Sequence, residues 1–378
     1  MAMTHNDDQT MLRDSARDFM ASEAPVKHFR EFRDKACKDG FSHGLWKQFA
    51  EMGFTGILIP EAEGGTGMGH VEAGILLEEI GRNLSPSPFL TTSVVAVEAL
   101  KAADKAMRDR WFPGIIAGET IVGIAHDEAS KHRLHSISCV AERSGNGFKL
   151  SGRKQFVIQG ASADMLIVSA RTSGGNDQPE GITLFAVEKD AAGLSVDSVR
   201  LVDSAMAAHV TLDGVSVTAD AVIGDVDNGW ATLSRLLDAG RAGAAAEMVG
   251  VGGGAMEMTF AYLKQRKQFG TLIGEFQALQ HRAAHLYGEM EGARSIVLKA
   301  QNLLDDDDPR AAMMVAAAKA KAGLACNLAV REGVQMHGGM GMTDEYDIGL
   351  YMKRDRSLAE FFGDTNFHAD RVATMNGY

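Results

Sequence analysis

The stretch LAEFFGDTNFH, Leu358 to His368, sets one carboxylate, Asp364, between a glycine and a threonine. A Gly-Asp-Thr turn after an apolar run can do two kinds of work. It can present a carboxylate to take a proton from a substrate, or it can stop one helix and cap the next. Two glycine-rich loops, PEAEGGTGMG (Pro60 to Gly69) and HGGMGM (His337 to Met342), offer backbone that a ligand can approach closely. GVGGGA (Gly250 to Ala255) spells GxGxxG/A, but it lies inside a helical pattern with no strand before it. The phosphate-cradling geometry of a nucleotide fold is therefore missing, and small residues packed against a neighbouring helix account for it. Cys37, Cys139 and Cys326 are odd in number, widely spaced and without a CxxC pair, which fits reduced packing thiols and no metal site.

The elements that must position these residues fall into three blocks. Residues 1–118 carry apolar residues at helical spacing, as in MLRDSARDFM and LWKQFAEMGF, and predict a helical bundle interrupted by the 60–69 loop and the SPSPF turn. Residues 119–226 change to short β-branched runs between turns (ETIVGIAH, SISCVAER, GFKLSGRKQFVI, DMLIVSART, GITLFAVEK, HVTLDGVSV) and predict an antiparallel β-barrel or sandwich. Residues 227–378 return to long helical segments joined by short loops, which predicts an antiparallel four-helix bundle. The fold class is α+β. A net charge of −12 argues against nucleic acid and anionic membranes as partners, since both are bound by clustered Lys and Arg. The N-terminus shows no basic-then-apolar signal pattern and no apolar run reads as a membrane span, so a cytoplasmic location is expected.

Two longer motifs fit this helical, β, helical order. YLKQRKQFGTLIGEFQALQH (Tyr262 to His281) and QMHGGMGMTDEYDIGLYMKRD (Gln335 to Asp355), with IPEAEGGTGMG and GRKQFVIQGASADMLIVSA, resemble the acyl-CoA dehydrogenase family over essentially the whole chain. The resemblance implies FAD-dependent α,β-dehydrogenation of an acyl-CoA thioester, and an acceptor of the electron-transfer flavoprotein type. It implies that Arg266, Gln268, Phe269, Ile273, Phe276 and Gln277, with Gln335, Gly338, Gly339 and Thr365, contact FAD shared with a neighbouring subunit. For Phe269 and Ile273 taken alone, core packing is the competing reading. A shared site implies a homodimer, a homotetramer or a heterotetramer. Phe156, Val157 and Ile158 align with the strand beside the flavin ring, with Phe156 where the family usually has Trp and Ile158 where it usually has Thr. The loop IAHDEASKHRL only partly matches the family's TEPxxGSD-like loop.

The family's base is also displaced. By alignment Gly363 falls where the usual Glu belongs and Asp364 where the following glycine belongs. The second family position for a base, one residue before Arg241, is Gly240. Asp238 and Arg241 match the family and are expected to help position the thioester or its pantetheine arm, with Gly240 and Ala244 leaving a groove for substrate. Two acids remain as base candidates, each with a structural alternative. Asp364 is either a base reached through a backbone shift or a cap carboxylate. Glu247, alone between Asp238 and Glu257 and about two helical turns beyond Gly240, is either a base or a buried ion-pair partner. FFGDTNFH further resembles the turn of family members that work as unlike paired subunits on dicarboxylic or sterol-side-chain acyl-CoAs. The alternative function is thus a catalytically weak subunit that completes FAD sites for a partner chain.

Overall fold

The computed structural model of the protein describes residues 4–378. They form two compact units. One comprises the described residues of Met1–Asp34 with His70–Ser85 and Arg241–Tyr378, and the other Lys35–Gly69 with Pro86–Gly240.

The first unit is helical. Its elements are α1 (Asp7–Glu23), α2 (Val26–Asp34), α4 (His70–Arg82), most of α7 (Trp230–Gln265), α8 (Gln277–Asp305), α9 (Ala311–His337), α10 (Ile348–Glu360) and α11 (Thr365–Met375). The sequence marks several ends directly. Asn6 and Gln9 form a reciprocal capping box on α1, and Asp364 caps α11. α9 is the hub, packing on α8, α10 and α11, while α4 packs on α1 and α8. The glycines of α7 let its neighbours approach. A Cβ at Gly250 would lie 1.9 Å from the Glu78 carbonyl oxygen, one at Gly252 would meet Met290, and one at Gly254 would meet Tyr351 and the Arg82 carbonyl. GVGGGA is therefore a packing surface.

One expectation needs correcting. The segment Ala311–Met342 is long and apolar enough to cross a membrane by length and composition. Alanine, valine and cysteine on α9 raise its hydropathy because that helix packs against α8, α10 and α11, and 56% of its apolar 18-residue window is buried.

The second unit contains α3 (His43–Glu51), a π-helical turn at Leu90–Ala96 running into α5 (Val97–Leu100), α6 (Lys105–Ile116) and an eight-stranded sheet. Its strands are β1 (Val122–Ala125), β2 (Val140–Ser144), β3 (Gly147–Ile158), β4 (Met165–Arg171), β5 (Ile182–Glu188), β6 (Leu194–Arg200), β7 (Met206–Thr218) and β8 (Val222–Ile223). They follow the order β6-β7-β3-β2-β4-β5-β8, with β1 on β4. The sheet is mixed rather than purely antiparallel. β1 runs parallel to β4, and β2 touches β4 in parallel at Val140 and Arg171. The chain leaves β1 and reaches β4 through the β2–β3 hairpin, a long connection of the kind that parallel neighbours require. β6, largely exposed at the sheet edge, shows little of the burial alternation that identifies a strand from sequence.

Candidate active site

Within the helical unit, three buried nitrogen donors converge on the turn that ends α10. Arg241, fully buried on α7, donates from Nε to the Phe362 carbonyl at 3.1 Å, and His368 Nε2 lies 3.1 Å from the same oxygen. Lys319 on α9, 1% exposed, donates to the carbonyls of Leu358 (3.0 Å), Gly363 (3.3 Å) and Ala359 (3.4 Å). The last carbonyls of a helix lack intrahelical partners and carry partial negative charge, so cations here both satisfy and fix the turn. Gly363 is buried at φ +108°, and a Cβ there would lie 2.4 Å from Phe367 Cδ1 and 3.0 Å from His368 Nε2. A glycine is required at this point by both backbone and space.

Both candidate bases have structural roles. The Asp364 carboxylate accepts from the Phe367 amide at 2.8 Å as the N-cap of α11. The Glu247 carboxylate, 3% exposed, accepts from Arg354 Nε at 2.8 Å and Nη2 at 2.5 Å and so ties α7 to α10. Thr365 turns its hydroxyl toward α9, where a Cβ on Gly323 would meet it at 2.6 Å.

The two roles open to Asp364 predict different variants. Asp364→Ala is expected to lose about 1 kcal/mol with the cap, whereas Asp364→Asn keeps an equally good cap and loses the proton acceptor. A stable Asp364→Asn chain that processes acyl-CoA at the parent rate would remove Asp364 as base.

Lys319 carries a pH signature. Burial and the Arg241 charge pull its ammonium down to about 7, against the opposing pull of Asp355, Glu360 and Asp364. Between that value and its ordinary value of 10.5 the unfolded chain holds a proton that the folded chain has released, so this group's contribution to stability rises with pH and is flat below 7. Urea unfolding between about pH 7 and 10 should show a rise, up to about 1.4 kcal/mol per pH unit, that Lys319→Met lacks.

Next to this region in sequence, α7 ends in a small arm. β9 (Lys267–Gln268) and β10 (Thr271–Leu272) pair across Phe269 and Gly270, at φ +56° and +84°, as a two-residue hairpin. Phe269 is 93% exposed and packs edge-on against the partly exposed Phe276 at 6.3 Å. Core packing is thereby excluded for Phe269 within this chain. Ile273, by contrast, is buried with Leu263 and Met336 and forms the root of the arm. Arg266, Gln268 and Gln277 are exposed along it. Tyr262 stacks on His337 at 4.4 Å and brings the root of the arm beside the glycine loop. There Gly338, at φ +61°, and Gly339 have open space around them, with Gln335 exposed nearby. Arg266, Phe269, Phe276, Gly338 and Gly339 together present exposed rings, a guanidinium and glycine backbone with open space around it. That set fits a dinucleotide with a flat ring system and a pyrophosphate.

In the β unit, a register shift between Lys154 and Val157 puts Phe156 at φ +51°, 45% exposed and edge-on to His209 at 5.2 Å. Val157 is buried, and half-buried Ile158 pairs with Ala207. The loop after β1 is ordered by ion pairs. Lys154, 1% exposed, donates to Glu128 at 2.8 Å, and Glu128 also accepts from the amides of Ser138 and Cys139. Burial acts to raise Asp127, yet its hydrogen bond and attraction to His132 leave its carboxyl below the usual value. Asp238 and Gly240 are buried on the first turns of α7, and Ala244 is buried further along the helix. Sequence reasoning overlooked Lys319 and His368. A lysine in the Ala-rich run AAAKAKAGLA was the available signal, because a buried cation requires partners.

Three family models match the chain in order: acyl-CoA dehydrogenase N-terminal domain over residues 6–119, middle domain over 127–215 and C-terminal domain over 227–375. Acyl-CoA dehydrogenase FadE12 of Mycobacterium tuberculosis is 32% identical over 335 residues, covering 86% of this chain and 85% of its own. The caffeyl-CoA reductase-Etf complex subunit CarC of Acetobacterium woodii is 29% identical over 355 residues, 92% of each chain. The solved structure described as "Tcur3481-Tcur3483 steroid ACAD G363A variant" superposes with a TM-score of 0.88 at 30% identity, covering 98% of each chain. Three family models in sequence, and a relative above 30% identity across most of the length, place this chain in the acyl-CoA dehydrogenase family, oxidoreductases that act on acyl-CoA.

Proposed function

We propose that the chain takes part in FAD-dependent α,β-dehydrogenation of an acyl-CoA with a bulky acyl group, as three functional domains at 1–118, 119–226 and 227–378. The observation that carries the cofactor reading is Phe269, almost fully exposed at positive φ on the tip of a hairpin whose root packs against the end of α9, where the open Gly338 and Gly339 follow. Arg266, Gln268, Phe269, Phe276 and Gln277, with Gln335 and the two glycines, would hold FAD against a second subunit. Phe156 to Ile158 would face its ring. When bound, the flavin supplies the hydride acceptor for the substrate Cβ. The chain's own task is to remove the Cα proton, with Asp364 or Glu247 as the acceptor. Arg241 acts as a positioning residue through the Phe362 carbonyl, and Asp238 helps to orient the thioester. The bulky acyl group is supported by the solved relative described as a steroid ACAD. An electron-transfer flavoprotein as acceptor is supported by a relative named as a subunit of a caffeyl-CoA reductase-Etf complex.

A second reading is favoured by one specific observation: both carboxylates are structurally employed, Asp364 as a cap and Glu247 in an ion pair that takes two Arg354 donors on one oxygen. In that reading the chain completes FAD sites for an unlike partner that supplies the base. The purified chain alone should be assayed for FAD content and for flavin bleaching by acyl-CoAs, including steroid-side-chain thioesters. Full bleaching without a partner supports a self-sufficient dehydrogenase and eliminates the second reading. FAD retention without bleaching, restored by a partner chain, supports the second reading. Absence of FAD under every condition removes both.

A further inference from the structure

We propose that the loop following β1 forms a site for a divalent transition-metal ion of zinc-like preference, with His126, Asp127 and His132 as ligands. The three residues bring two imidazoles and a carboxylate together, with one candidate ligand atom from each lying within 4.8 Å of the others. Nitrogen and oxygen donors of these types suit zinc, nickel or copper. At bond lengths of about 2.0 Å, tetrahedral ligand atoms stand about 3.3 Å apart, so closing the site takes side-chain movements of about 1 Å.

The backbone that carries the ligands is already fixed. Lys154 Nζ donates to the His126 carbonyl at 3.2 Å, and the Gln155 amide donates to the Asp127 carbonyl at 2.7 Å, so β3 anchors both residues. The His126 ring is held from two sides, by the Arg133 carbonyl at 3.0 Å and the Ser169 hydroxyl at 3.1 Å. Ligation requires it to give up one of these partners, while the other keeps the ring oriented as an outer-shell partner does. Asp127 Oδ1 and His132 Nδ1, 2.8 Å apart, are already neighbours, and His126 and His132 have ring centroids 5.6 Å apart. Glu128 pairs with the nearby Lys154, and Asp127 pairs with His132. A cavity of about 390 Å³, whose charged lining is Asp127, Glu128, Lys131, Arg133 and Arg153, opens beside the carboxylate and gives water, as a fourth ligand, a route in. An ion pair between Asp127 and His132 with a separately satisfied His126 is the rival account, and it predicts no metal affinity.

The test uses the full chain and Zn²⁺ alone, by competition with a chromogenic chelator. One equivalent bound per chain is expected, and both His132→Gln and Asp127→Asn should weaken binding by at least about 100-fold, more than losing an outer partner costs. Circular dichroism on each variant checks that the fold is retained. Failure to bind Zn²⁺, or binding unchanged in correctly folded variants, overturns the proposal. Should the variants misfold, electron paramagnetic resonance of Cu²⁺ on the unaltered chain decides: coupling to two imidazole nitrogens supports the site, and coupling to fewer overturns it.

Discussion

Gly363→Glu, which puts a Glu where the family resemblance would place the usual base, will destabilise the chain and bleach flavin no faster than the parent. The residue occupies φ +108°, a region in which a side chain costs about 1–2 kcal/mol, and its Cβ would fall 2.4 Å from the Phe367 ring. Relieving that overlap in a packed turn adds about 1–3 kcal/mol. Phe367 cannot withdraw easily, because its amide is held by Asp364 and the Arg241 guanidinium lies 5.9 Å from its ring centre. Urea unfolding should therefore show a loss of about 2–5 kcal/mol. A Gly363→Glu chain as stable as the parent and faster with acyl-CoA would mean that the turn rearranges freely, contrary to the grip of Lys319, Arg241 and His368 on its carbonyls.

Arg354→Met should destabilise the chain strongly. It removes both guanidinium donors from Glu247 Oε1, on a carboxylate 3% exposed, and taking one partner from a buried pair costs about 3–5 kcal/mol. The reverse change is milder. Glu247→Gln leaves Arg354, whose side chain is 21% exposed, able to reach water. The double variant Glu247→Leu/Arg354→Met should regain most of the loss, because two apolar groups remove the desolvation penalty together. Denaturant unfolding of the three chains tests this, and equal losses in the single and double variants would show that the pair is not the cause. Glu247→Gln also separates structure from chemistry. If Glu247 is the base, bleaching by acyl-CoA falls about 10²–10⁴-fold in a chain that remains folded. If the rate is unchanged, Glu247 is a strut between α7 and α10.

The sequence by itself determined the order of helical, β and helical segments, because apolar periodicity depends on neighbouring residues. It also determined the packing role of GVGGGA, since the glycines lie within a helical pattern with no strand before them. The glycine at 363 beside an acid at 364 was legible too, as a departure from the turn that the family resemblance leads one to expect. The sequence could not reveal what each acid does. A carboxylate reads the same in a string whether it caps a helix, pairs with an arginine or waits for a proton. Asp364 meets the Phe367 amide three residues on, which local spacing permits, but Glu247 meets Arg354 from another helix, 107 residues away. Phe269 shows the same limit in reverse, since an apolar residue in a string suggests a core. The tertiary structure leaves it on the tip of a hairpin, where positive φ at Phe269 and Gly270 turns the chain out into solvent. Contacts between residues distant in sequence, and the exposure they leave, were decided by folding alone.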